Sequence, residues 1–205
     1  MTSIPKAGDA PRPDADLTAR ARIRNAALAL FALKGARAAT LREIAEAAGV
    51  THGLVVHHFR NKDGLRLAVQ EHVMAMITDT LNAVPVTGGA AEFGRARDAS
   101  VARMYAANPD LALYVRRETA ELELGGGDPE FMRQLAEMTL SQVRGLRAAG
   151  AARSQVPEHE QAFAILLRQM TIQLVQPLGE RLWEHFRQDS DEAPPEVTLK
   201  FVTPR

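Results

Sequence analysis

The chain has 205 residues, 46% of them hydrophobic, no cysteine and a formal net charge of zero. That length suits one large or two small domains with buried cores, and the missing thiols exclude disulfides and thiolate metal sites. No apolar run approaches the roughly 18 residues that span a bilayer, and the polar N-terminus lacks an apolar signal core, so a cytoplasmic protein without membrane contact is expected.

The neutral total conceals a split. Thr18 to Leu67 carries nine Lys or Arg against three acids, net +6, whereas 68–205 carries fourteen against nineteen, net −5. A basic N-terminal quarter on an acidic remainder suits a nucleic-acid-facing module attached to a body with another task. Solvated helix faces would give the same count.

Residues 1–16, MTSIPKAGDAPRPDAD, hold three prolines and few large apolar side chains and read as a disordered arm. From Thr18 to Leu33 the apolar residues Ile23, Ala26, Ala27, Leu30 and Phe31 follow helical spacing, and Gly35 stops the helix. Thr40 is a candidate N-cap with Glu43 three residues on, a capping box that starts a helix at Leu41. Leu41, Ile44, Ala45 and Ala48 give it one apolar face, Gly49 ends it, and Thr51 caps a further helix, His52 to His58. Helix, glycine turn and capped helix form a helix-turn-helix, whose second helix enters the major groove. The core expected for this unit is Ile23, Leu30, Phe31, Ile44, Ala45, Val50, Val55 and Phe59.

Asn61 caps a long helix reaching about Ala83, and PVTGG at 85–89 is the clearest break. Helices are then expected over Glu92 to Ala107, Leu111 to Glu123, Glu130 to Ala149 and Glu158 to Gln176. Pro177 should interrupt the chain before a last helix to about Gln188, and the tail from 191 to 205 reads as extended or loose. The fold class is all-α, with a helix-turn-helix domain at 17–67 joined by the long helix to a helical domain at 68–190.

Phe31, Gly35, Thr40, Ile44, Ala45, the run Ala48-Gly49-Val50-Thr51, Gly53, His58-Phe59, Asn61-Lys62 and Leu65 resemble the N-terminal domain of the TetR family of transcriptional regulators. The resemblance covers about 18–67 and implies a homodimeric repressor. Its two N-terminal units would bind a pseudo-palindromic double-stranded DNA operator. A small-molecule effector, largely apolar, would bind in the C-terminal domain, shift the long helix and release the DNA. Carried over by position, the DNA-contacting residues are Thr40, Arg42, Thr51, His52, Gly53, Leu54, Val56, His57, His58 and Lys62. Arg42 suits either the O6 and N7 of guanine or a phosphate; Thr40 and Thr51 serve capping and phosphate alike. Leu54, Val56 and His57 depart from the family pattern of hydroxyl, leucine and aromatics. Val56 would suit a thymine methyl, and His57 would stand in for the missing donor.

Beyond about Val84 the resemblance is architectural only. Met74, Met104, Tyr105, Tyr114, Phe131, Leu135 and Met138 are expected to line the effector cavity, although each singly suits an ordinary core. Arg116 and Arg117 suit an anionic ligand group or plain solvent exposure. Leu166, Met170, Leu174, Leu178 and Leu182 form the expected dimer seam on two helices after Glu158, or part of the monomer core. An enzyme is disfavoured: there is no cysteine nucleophile, no GxSxG and no phosphate loop after a strand, and a metal site at His52, His57 and His58 would need a carboxylate partner and would sit in the groove-reading surface. No cofactor or metal is expected. The rival class is a helical adaptor or small-molecule-binding protein without operator binding.

Overall fold

A computed structural model describes residues 13–87, 90–123, 127–150 and 155–187, with positions 13–17, 90, 91, 123, 174 and 176 described through the backbone alone. Most of the expected arm and the whole tail from 191 lie outside the described residues. Those described form eight helices and no strand: α1 Pro13–Ala38, α2 Leu41–Ala48, α3 His52–Phe59, α4 Lys62–Asn82, α5 Ala90–Ala107, α6 Pro109–Glu123, α7 Pro129–Ala148 and α8 Glu158–Phe186. They divide into two compact units between Val73 and Met74, inside α4.

In the N-terminal unit α1 packs on α2 and α3, and α2 on α3. Ile23, Ala27 and Phe31 recur every four residues along α1 and are fully buried, as are Ile44, Val55, Leu65, Val69 and Val73. Leu30 and Val50, expected in this core, are half-buried. Leu30 is turned about 100° around the helix from Phe31 and sits at the edge of the buried stripe. α1 also starts earlier than expected, at Pro13. A proline at the first helical position fits because its fixed φ is already helical and its missing N–H would have had no partner. Gly35, at φ 85° and ψ 152°, breaks the helical path where the sequence places the stop, and a last turn follows to Ala38.

In the C-terminal unit α7 packs along α8, α5 on α6 and α6 on α8. Fully buried Tyr114 meets Phe131 edge to face, with ring centroids 5.8 Å apart. The Asn108 side chain donates to the Met104 carbonyl at 2.8 Å, closing α5 where α6 begins. Asp128 caps α7, its carboxylate accepting from the Glu130 N–H at 3.0 Å. One expectation fails: α8 does not end at Pro177 but runs through it. A proline in a helix interior removes one N–H, here the partner of the Gln173 carbonyl, and costs about 3 kcal/mol. The helix nevertheless continues from Glu158 to Phe186, so the two expected terminal helices are one. No described helix is long and apolar enough to cross a membrane.

Candidate functional site

The α2–α3 pair is fixed at each end by local chemistry. Thr40 Oγ1 accepts from the Glu43 N–H at 3.3 Å, and Glu43 Oε2 accepts from the Thr40 N–H at 2.8 Å, completing the capping box. Glu43 also pairs with Lys34 of α1. The Lys34 ammonium, with the Thr40 donors behind it, holds the Glu43 carboxyl down to about 2. At the other end of α2, Gly49 adopts φ 64°, a left-handed conformation that costs glycine nothing. The Val50 N–H reaches the Ala45 carbonyl at 2.9 Å and the Gly49 N–H reaches Glu46 at 3.0 Å, a Schellman closure. The Arg22 guanidinium donates to the Ala48 and Gly49 carbonyls at 3.2 and 3.1 Å, placing positive charge at the negative end of α2. Thr51 Oγ1 then accepts from the Leu54 N–H at 3.3 Å and starts α3.

These constraints present one face of α3 to solvent. Val55 and Phe59 are buried, and the Arg20 guanidinium lies 5.3 Å from the centre of the Phe59 ring. Thr51, His52, Gly53, Val56 and His57 are exposed together, with Thr40 and Arg42 exposed at the start of α2. The expected contacts are therefore not equivalent. Leu54 and His58 are half-buried, the His58 ring lying 6.0 Å from that of Phe59. Lys62 is half-buried and its ammonium donates to the Arg37 carbonyl at 2.6 Å. Gly53 stands apart for another reason: a Cβ there would meet nothing nearer than Thr51 Oγ1 at 4.0 Å. Packing inside the unit does not call for a missing side chain at that position, whereas close approach of another molecule would. Among the described residues no group of three or more His, Asp or Glu is placed to hold a metal ion.

The C-terminal unit holds a partly open cavity of about 180 Å³ lined by residues of α4, α5, α6, α7 and α8. Tyr105, Leu135 and Met138, expected in its lining, are there. Met74, Met104, Tyr114 and Phe131 are not; Tyr114 and Phe131 are spent on each other in the core. Burial pushes the Tyr105 phenol up to about 12. Arg117 pairs with Glu121 at 2.9 Å one turn along α6, on neither side of the lining. Of the expected seam, Leu166 and Met170 line the cavity, Leu178 and Leu182 are exposed, and the Leu174 side chain lies outside the described residues.

Residues 23–69 match the family described as bacterial regulatory proteins, tetR family. The helix-turn-helix domain belongs to the TetR family. A 59-residue stretch is 56% identical to the HTH-type transcriptional regulatory protein RaaS of Mycobacterium tuberculosis, covering 29% of this chain and 27% of that protein. Another M. tuberculosis protein, described as an HTH-type transcriptional repressor, is 38% identical over 82 residues, 40% of this chain and 44% of its own length. The chain thus spans less than half the length of these curated relatives. The solved structure of Salmonella enterica GusR shares the fold at a TM-score of 0.62 and 19% identity, over 77% of this chain and 82% of that one.

Several residues of the TetR-type domain and the cavity escape a reading of the sequence. Arg22 and Lys34 counted only as charge, although each ties α1 to one end of α2. Arg60 follows α3 at φ 66° and ψ −56°, with the Asn61 N–H turned back to the Phe59 carbonyl at 2.8 Å. That is a strained γ-turn for a non-glycine residue, and nothing in the local sequence announces it. Arg97, Asp98, Arg168 and Gln169 line the cavity without any periodic signal, because their meeting spans about seventy residues of chain.

Proposed function

We propose that the chain is a homodimeric TetR-type repressor that reads a pseudo-palindromic operator with α2 and α3 of each copy and releases it when a small molecule occupies the C-terminal cavity. Residues 17–67 serve as the DNA-binding domain and 68–190 as the ligand-binding and dimerisation domain. The observation that carries the reading is the solvent face of α3, where His52, Gly53, Val56 and His57 stand together and Gly53 leaves room that the fold does not use. His52 reaches a base edge, Gly53 lets the backbone approach, Val56 packs on a thymine methyl and His57 donates to phosphate. Arg42, Thr40 and Thr51 meet the flanking backbone from two helix N-termini, which attract anions. Lys62 and His58 contribute after their side chains leave the contacts they make inside the unit. DNA as partner places the protein in the cytoplasm.

Dimerisation has support of its own. Val175, Leu178, Leu182 and Phe186 recur at helical spacing along α8 and are 40, 56, 49 and 66% exposed. An apolar stripe of that kind on an outer helix marks an interaction face, and a bundle of α7 and α8 from each copy would cover it. Two copies then set the two reading helices at the roughly 34–36 Å that successive major grooves demand. The same stripe also suits an adaptor that holds a different helical partner. Footprinting the promoter next to its own gene decides between them: a protected palindrome is expected, and its absence at low salt, with the protein folded, rejects the repressor.

A further inference from the structure

The cavity has two unlike walls. Ile77, Phe93, Val101, Val115, Val143 and Ile165 supply apolar surface, and Arg97, Asp98, Arg168 and Gln169 form a polar side. Both oxygens of Asp98 are engaged. Arg168 donates to them at 2.9 and 2.6 Å, and Gln169 Nε2 adds a bond to Oδ1 at 2.6 Å. Arg97, one residue earlier on α5, feels that carboxylate but hydrogen-bonds at 3.2 Å to the neutral Gln142 Oε1. Gln142 is held for this task, its amide N–H donating to Asn82 Oδ1 at 3.0 Å. The Phe93 ring lies 5.6 Å below the guanidinium. The ionisable side chains of the described lining are Arg97, Arg168, Asp98 and Tyr105, and Tyr105 is a neutral phenol at pH 7, burial pushing it further up to about 12. Among the described lining residues one positive charge is therefore in excess, and Arg97 holds it because Arg168 takes the direct ion pair with Asp98. Burial lowers the pKa of this guanidinium, a sign that its charge has lost hydration. A partly desolvated cation that hydrogen-bonds to a neutral amide, and shares the pull of Asp98 with Arg168, is an arrangement that an added anion relieves.

The second observation is Gly94, which lines the cavity one turn before Arg97 and Asp98. A Cβ at Gly94 would meet nothing within 4 Å. Glycine in a helix interior is less stable than alanine, so no contact explains the choice, and the missing side chain leaves space beside the charge. At about 180 Å³, the cavity is of the order of an apolar hole of about 150 Å³ that holds benzene.

We propose that this cavity takes a small apolar monocarboxylate, one aromatic ring or a short acyl chain, with its carboxylate on Arg97 and its apolar body beside Gly94. The proposal rests on the ligand-controlled reading above and names the class of ligand. Titration calorimetry of the full chain at pH 7 with benzoate and hexanoate, against benzamide and hexanamide, tests it. The acids are expected to bind at least about tenfold more tightly than the amides, since a charge-assisted pair is the stronger bond. Arg97→Gln should erase that preference, Arg97→Lys should keep it, and Gly94→Leu should weaken all four. Amides binding as well as acids, no binding by either, or a preference that survives Arg97→Gln overturns the proposal. Operator binding is measured apart from these titrations. Acid binding that leaves the operator complex unchanged defeats ligand control alone, and loss of acid binding with an intact operator complex defeats this assignment alone.

Discussion

The reading head and the cavity are built in opposite ways. In the head, position follows from neighbours in sequence: Thr40 with Glu43, Gly49 with Ala45 and Glu46, and Thr51 with Leu54 all act within five residues. In the cavity the deciding contacts join Asp98 to Arg168, and Arg97 to Gln142, across separations of 70 and 45 residues. The ends of α2 and the start of α3 are thus specified mainly by nearby residues, with Arg22 and Lys34 of α1 adding longer ties. A site made by convergence depends on the packing of five helices and is free to vary in charge and shape.

The largest effect should come from the anchor of α3. Phe59→Ala empties a nearly fully buried site and should cost about 3–5 kcal/mol, seen as loss of the first transition in thermal unfolding and of operator binding. Benzoate titration of the same variant should be unchanged, because the cavity residues belong to the other unit. Preserved operator binding would show that α3 does not need this anchor. Next in size, Leu178→Asp with Leu182→Asp puts charge on the exposed stripe of α8, and light scattering should report a monomer in place of a dimer. Thr51→Ala removes the cap of α3 and should cost about 1 kcal/mol in urea unfolding, with a larger loss in operator affinity.

The smallest effect is a shift with pH. The Glu43 carboxyl, held at about 2 by Lys34 and Thr40, is depressed below its ordinary value of 4.5. A depressed carboxyl adds stability that is present above its unfolded value and is lost as pH falls toward its folded one. The difference in unfolding midpoint between the wild type and Glu43→Gln should be full near neutrality and shrink between about pH 4.5 and 2. A difference that is the same at pH 3 and pH 7 would remove the ion pair from the account.

How much of this was legible depends on the range of the forces involved. Thr40, Gly49, Thr51 and Asn61 announced helix ends because their side chains and backbone act on the next few residues. Pro177 misled because a single proline has a fixed local cost, and the cost was met inside a 29-residue helix rather than by ending it. The limits of α1 moved because Pro13 can open a helix as readily as it can keep an arm extended. In the cavity, aromatic and methionine residues were the natural guess, yet Tyr114 and Phe131 satisfy one another. The residues that set its chemistry, Gly94, Arg97 and Arg168, carry no mark until α5 and α8 are brought together.

The central claim is that the outer face of α3 touches DNA, and Gly53→Ala tests it most directly. The substitution meets nothing closer than 4.0 Å and should leave thermal stability unchanged or raise it by up to about 1 kcal/mol. Fluorescence anisotropy on the protected operator fragment, titrated at several salt concentrations, should then show a loss of affinity of about tenfold or more. The wild type should show the steep salt dependence of a protein that contacts several phosphates. A Gly53→Ala protein that binds the fragment as tightly as the wild type, with the same salt slope, would contradict the assignment of α3 as the reading helix.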